Sequence, residues 1–198
     1  MPTGSSSGST PTGIKCLSDG ETLPKIIVFD LDYTLWPFWV DTHVTPPLKP
    51  SSRYDYVKDQ AKQSFSFYNE VPDCLVALKE CGITIGVASR TSAPGLGRQI
   101  LNLLHFKGKE NKFNKAIDYI DHLEIYPGSK ITHFQNIQRE TGFRFQDMLF
   151  FDDESRNKNV ESLGVTMYLV NNGVSRSEID NGIREWRRRY VSEPPKST

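Results

Sequence analysis

Lys25-Ile26-Ile27-Val28-Phe29-Asp30-Leu31-Asp32-Tyr33-Thr34-Leu35-Trp36 is an apolar, β-branched run that stops at two carboxylates. A buried strand more often ends in Gly, Asn or Ser than in two mutually repelling acids. Charged groups at the end of an apolar run are almost never left without a partner. The partner that suits paired carboxylates is a divalent cation, and a hard cation such as Mg²⁺ prefers oxygen ligands. The stretch therefore predicts a metal site at the carboxyl edge of a sheet, where α/β proteins place their chemistry.

Further strands are expected at Ile83–Ser89, Tyr119–Tyr126, Asp147–Asp152 and Val165–Val170, besides Lys25–Asp30. Helical spacing falls between them at Pro72–Glu80, Pro94–Leu104, Lys130–Thr141 and Ser155–Leu163, and again at Arg176–Tyr190. Gly82, Gly142 and Gly164 each follow a helical run, where a left-handed cap is wanted. This alternation argues for right-handed βαβ units, a parallel sheet with helices on both faces and a three-layer Rossmann-like α/β fold. Residues 36–71 break the rhythm. Three prolines (Pro46, Pro47, Pro50) and a set of aromatics there predict a small insertion, with a hairpin at Ser64–Tyr68, too short to be a domain of its own. Residues 1–24 are rich in Ser, Gly, Thr and Pro and are expected to lack fixed structure, as is the tail 192–198, leaving one domain over 25–191.

The chain has 198 residues, with 24 Lys and Arg against 24 Asp and Glu. That balance gives no field to drive binding to nucleic acid or to a membrane surface. No apolar run approaches the ~20 residues of a membrane span. Cys16, Cys74 and Cys81 have no metal-type spacing. They fit reduced thiols in a cytoplasmic or nuclear protein. A monomer is expected.

Three other strand ends supply what a site for metal and phosphate requires. One strand ends Ser89-Arg90-Thr91 ahead of a helix start at Pro94, and a hydroxyl with free backbone N–H groups at such a turn is an anion cradle. Lys130 opens a helix, an unfavourable place for a cation unless it faces an anion. A second apolar run, Leu149-Phe150-Phe151, stops at Asp152-Asp153-Glu154. Carboxylates for Mg²⁺, a hydroxyl and a cation for phosphate oxygens, and a carboxylate free to attack together describe phosphoryl transfer.

In these residues the chain resembles the haloacid dehalogenase (HAD) superfamily of phosphatases. Asp30-Leu31-Asp32-Tyr33-Thr34 matches its first motif, Ser89 its second, Lys130 its third and Asp152-Asp153 its fourth, in order and at strand ends. Within it, Phe29–His43, Ala88–Thr91, Ile125–Lys130 and Phe150–Asn157 look like the eukaryotic magnesium-dependent phosphatase family. The resemblance implies a domain with little or no cap and a Mg²⁺ cofactor. It implies Asp30 as nucleophile and Asp32 as general acid and base. It also implies Ser89, Arg90 and Lys130 around the phosphate, and Mg²⁺ held by Asp30, the Asp32 backbone oxygen and Asp153. Asp152 would orient Lys130, and Thr34 would hydrogen-bond locally to shape the loop. An open site admits a side chain on a protein surface, so a phosphotyrosine-like or phosphoprotein substrate is favoured. A sugar-phosphate or damaged-metabolite phosphatase with the aromatic insertion as a small lid, and a phosphate-binding scaffold without turnover, are the rival readings. Trp36, Phe38 and Trp39, beside the nucleophile, are candidates for an aromatic substrate wall. The basic last turn, Arg184 and Arg187–Arg189, is expected to face water.

Overall fold

In the computed structural model, which describes residues 13–108 and 112–192, a 3₁₀ turn at Lys15–Leu17 leads into β1 (Ile26–Phe29). The insertion follows, with the short helix α1 (Val40–His43) and the two-residue strands β2 (Lys49–Pro50), β3 (Val57–Lys58) and β4 (Ser64–Phe65). Then come α2 (Val71–Glu80), β5 (Thr84–Ser89), α3 (Pro94–Leu103) and the hairpin β6 (His105–Lys107) with β7 (Phe113–Lys115). β8 (His122–Ile125), α4 (Lys130–Thr141), β9 (Met148–Asp152), β10 (Thr166–Leu169) and α5 (Arg176–Ser192) follow among the described residues. The main sheet has the order β10-β9-β1-β5-β8 and every pairing in it is parallel.

β1 is the middle strand, and all four of its side chains are fully buried. Successive side chains of a strand point to opposite faces. Ile27, Phe29, Leu149 and Phe151 accordingly meet residues of α2, α3 and α5 in one core cluster. Ile26, Val28, Met148 and Phe150 meet Phe134 and Ile137 of α4 in the other. Burial on both faces is why these strands read as unbroken apolar runs. Gly142 and Gly164 adopt φ of 68° and 102° and stop their helical segments as expected.

Two of the expected elements differ. Tyr119–Tyr126 is a strand only at His122–Ile125, with Ala116–Tyr119 a 3₁₀ turn. The Asp121 carboxylate takes the Ile85 N–H at 2.8 Å, so the ladder begins one step on, at Gly86 against His122. Ser155–Leu163 is a 3₁₀ helix, started by an i to i−3 bond from Asn157 N–H to the Glu154 carbonyl.

The insertion is a three-stranded antiparallel sheet, β2-β3-β4, where a single hairpin is expected. Four of its aromatic residues, Trp36, Phe38, Phe65 and Phe67, are core, while Trp39 and Tyr54 are exposed. Trp36 stacks on Phe38 at 5.2 Å, Phe38 meets Phe65 at 4.8 Å, and all three are buried. The leader also departs from expectation. Residues 1–12 lie outside the described residues, but in 13–24 the side chains of Ile14 and Cys16 are buried. Arg187, expected to face water, holds this segment: its guanidinium donates to the carbonyls of Cys16 and Thr22 and to the Asp19 and Glu21 carboxylates. A cation beside so many acceptors gains more from them than from solvent. Of the expected tail, Ser192 closes α5 and residues 193–198 lie outside the described residues.

Gly182 shows how closely α5 approaches the sheet. A Cβ there would overlap the ring of Phe151, itself stacked on Phe29 at 5.4 Å. Helix propensity favours Ala over Gly by about 1 kcal/mol, whereas overpacking a core costs about 1–3 kcal/mol. Gly182→Ala is therefore expected to lower stability in urea denaturation; an unchanged or raised midpoint would show that α5 can move off the sheet.

Candidate active site

The site collects at the carboxyl edge of the sheet. Asp30 follows the last residue of β1, Ser89 ends β5, Asp152 ends β9, and Lys130 opens α4 after β8. Asp30, Asp32, Ser89, Arg90, Lys130 and Asp153 line one open cleft of about 420 Å³. The structure thus brings together six of the eight residues singled out in the sequence, and the other two, Thr34 and Asp152, stand behind them in the interior.

Lys130 is the pivot. It is 1% exposed, and its ammonium lies 2.6 Å from Asp30 Oδ1 and 3.0 Å from Asp152 Oδ2, with a further bond to the Ala88 carbonyl. Desolvation works against its charge, but Asp30 and Asp152 together outweigh it and the net shift is upward. Burial raises Asp30 against the pull of Lys130, and Asp152 adds to the rise.

Asp152 and Asp153 have unlike surroundings. Asp152 is fully buried, and its carboxylate accepts from Glu154 N (2.7 Å) and from Asn157 Nδ2 at both oxygens (3.0 and 2.9 Å) besides pairing with Lys130. Asp153, half-buried, turns into the cleft, and burial with the neighbouring Asp152 pushes it up to about 6. Asp152 thus pairs with Lys130, and Asp153 is the member of the pair that lines the cleft.

Asp32 is fixed by one oxygen. Its Oδ1 accepts from Trp36 Nε1 at 2.7 Å and from Val40 N at 3.2 Å. Burial raises its carboxyl to about 6, against the hydrogen bond from Trp36. The loop that makes this possible turns back sharply. Tyr33 sits at φ 54°, in the left-handed region uncommon for a side chain of its size, and the Leu31 carbonyl accepts from Thr34, Leu35 and Trp36. Thr34 hydrogen-bonds locally as expected, but through its backbone, giving its N–H to Leu31 and accepting at its carbonyl from Val174; its buried hydroxyl has no hydrogen-bond partner among the described residues.

On the anion side, Ser89 Oγ accepts from Thr91 N at 3.4 Å, a contact that orients the hydroxyl. Arg90 donates to Asn157 Oδ1 at 3.2 Å. Asn157 thus links Arg90 to Asp152, a role the sequence reading missed although Asn157 stood inside a quoted motif. Trp36, expected as part of a substrate wall, is instead buried and donates its Nε1–H to Asp32. Of the aromatic trio only Trp39 is exposed at the cleft.

Among the described residues no cluster of three His, Cys, Asp or Glu side chains is arranged as a metal site. Mg²⁺ needs less than that, because it keeps several waters and binds through one or two carboxylates. Asp30 and Asp152 share the buried Lys130 ammonium, and Asp32 and Asp153 line the same cleft, so carboxylate oxygens are gathered there beyond those that the lysine pairs. That donor set fits Mg²⁺.

The profile of the family described as Acid Phosphatase matches residues 22–189. Magnesium-dependent phosphatase 1 of Homo sapiens is 46% identical over 162 residues, covering 81% of this chain and 86% of that protein. An HAD-like hydrolase superfamily protein of Schizosaccharomyces pombe is 46% identical over 144 residues, 72% of this chain and 83% of that protein. Among solved structures, an HAD-family enzyme from Bacteroides thetaiotaomicron superposes with a TM-score of 0.55 at 13% identity, over 80% of this chain and 98% of the other. The phosphatase-domain part of a Bacteroides fragilis protein, complexed with Mg, gives 0.51 at 21% identity over 94% of this chain and 44% of that one. These two structural likenesses bear on the fold alone.

Proposed function

The chain belongs to the acid phosphatase family, and on that premise we propose that it is a Mg²⁺-dependent phosphomonoesterase working through an aspartyl-phosphate on Asp30, with phosphotyrosine-like or phosphoprotein substrates. The observation that carries the reading is the convergence of Asp30, Lys130 and Asp153 in one cleft beside an Asp32 anchored by a single oxygen.

Asp30 Oδ attacks phosphorus in line, and the bond from phosphorus to the ester oxygen breaks. Lys130, the Ser89 hydroxyl and Arg90 hold the phosphate oxygens against the approaching carboxylate. Because Trp36 and Val40 occupy Asp32 Oδ1, the proton of Asp32 resides on Oδ2, from which it passes to the leaving oxygen. Asp32 then takes a proton from the water that hydrolyses the aspartyl-phosphate, which restores Asp30 and releases phosphate. A carboxyl near 6 suits both duties at neutral pH. Mg²⁺ held by Asp30, the Asp32 carbonyl and Asp153 supplies, when bound, the positive charge that lets an anion attack an anion.

Support for a protein-borne substrate comes from the openness of the cleft. Among the described residues of 36–71, Trp39, Asp41 and Thr42 line it, while Trp36, Phe38, Phe65 and Phe67 are packed inward. Hydrolysis of p-nitrophenyl phosphate is expected to fall to background in EDTA and to return on adding Mg²⁺; full activity in EDTA would overturn the metal assignment. Comparison of kcat/KM for phosphotyrosine peptides and for sugar phosphates tests the substrate class, and parity would refute it.

A further inference from the structure

We propose that Trp39 is the residue that selects aryl over alkyl phosphomonoesters, its exposed indole stacking against the aromatic ring of the leaving group. The proposal rests on the reading above that the cleft hydrolyses phosphomonoesters.

Trp39 is 49% exposed although Trp36 and Phe38, its neighbours in sequence, are buried. Among the residues lining the cleft it is the one large apolar side chain, all the others being charged or carrying a hydroxyl or amide. The polar rim is already matched to itself. The Asp41 carboxylate accepts from Ser92 N, Ser92 Oγ and Thr42 Oγ1, and both Glu154 oxygens accept from Arg156. A leaving group bound here therefore gains most from burying the indole, and little from a rim that would have to give up internal hydrogen bonds.

The indole also stands on the correct side of the reaction. Val40, the next residue, gives its N–H to Asp32, the group that protonates the leaving oxygen. Rings at such a position attract through offset or edge contacts as well as through area.

Exposure here does not mean looseness. Trp39 N donates to His43 Nδ1 at 3.1 Å, and the Trp39 carbonyl accepts from His43 N at 2.9 Å. The indole meets the Tyr33 ring edge-on at 5.1 Å and the His43 ring at 5.3 Å. The link from Asp41 to Ser92 ties this wall to the loop after β5. A surface held this firmly loses little freedom when a ligand stacks on it.

The test compares Trp39→Ala and Trp39→Phe with the parent protein, with Mg²⁺ present, on a phosphotyrosine peptide and on glycerol 2-phosphate. The ratio of kcat/KM for the aryl ester to that for the alkyl ester is expected to fall roughly tenfold in Trp39→Ala, the size of one aromatic contact. Trp39→Phe is expected to keep most of the ratio. Equal losses on both esters would overturn the proposal, since Trp39 would then merely support the wall. A ratio preserved in Trp39→Ala, while the parent still prefers the aryl ester, would overturn this inference and leave the proposed function standing. No aryl preference in the parent would overturn this inference together with the phosphotyrosine-like substrate class, and only failure to hydrolyse either ester would take down the phosphomonoesterase reading.

Discussion

Asp30→Asn is expected to reduce kcat by on the order of 10⁴-fold or more, the scale on which removal of a nucleophile acts. The substitution preserves size and leaves an oxygen to accept from Lys130, so far-UV and near-UV spectra should match those of the parent. What it removes is the charged oxygen that forms the bond to phosphorus. Single-turnover experiments should find no acid-stable, hydroxylamine-sensitive phosphate on the variant. Turnover at the parent rate would end the case for Asp30.

The second large effect is one of stability. Lys130→Met removes the ammonium that faces Asp30 and Asp152 in a place where neither side chain has much access to water. Breaking a buried ion pair by deleting one partner costs about 3–5 kcal/mol, because the remaining charge is left uncompensated. Urea denaturation of the metal-free protein in EDTA should show a loss of that order. The sign with pH follows from Asp30. Burial already raises its carboxyl against the pull of Lys130. Without that pull it rises further, so the folded variant takes up a proton more readily than the unfolded chain. Its deficit should therefore be largest well above that raised value and shrink as the pH falls through it. A deficit that does not grow between neutral pH and a pH well above 8 would mean that lost packing of the lysine stem, rather than orphaned charge, sets the cost.

The features that were legible in the sequence are those that a doubly covered parallel sheet imposes on its own strands. β1 and β9 are buried on both faces, so they had to be apolar throughout, and the acids that follow stood out at Asp30 and Asp152. Lys130 stood out because a lysine at a helix start needs an anion. The partners of these groups were not legible. That Trp36 serves Asp32 depends on the left-handed turn at Tyr33, which no spacing rule announces. Asn157 reaches both Asp152 and Arg90 from the 3₁₀ segment after β9, where the sequence pattern predicted only a helix. The Thr34 hydroxyl went without the hydrogen bond its chemistry suggested because the loop packs it into the interior. In the leader, Ile14 and Cys16 are isolated apolar residues in a polar stretch, and their partners are far along the chain.

That last separation has a consequence for how the protein is made. Cys16 N–H is bonded to Asp180 Oδ1, a contact spanning 164 residues. A ribosome adding about 5–20 residues per second needs roughly 10–30 s to cover that length. Over that interval Ile14 and Cys16 have emerged, while Arg187 and the face of α5 that will cover them do not yet exist. β1 waits almost as long for β9, its neighbour in the sheet. The order of synthesis therefore delivers the centre of the sheet first and its closing clasp last. Nascent chains halted before α5 should be protease-sensitive at the leader, and release of the last helix should protect it.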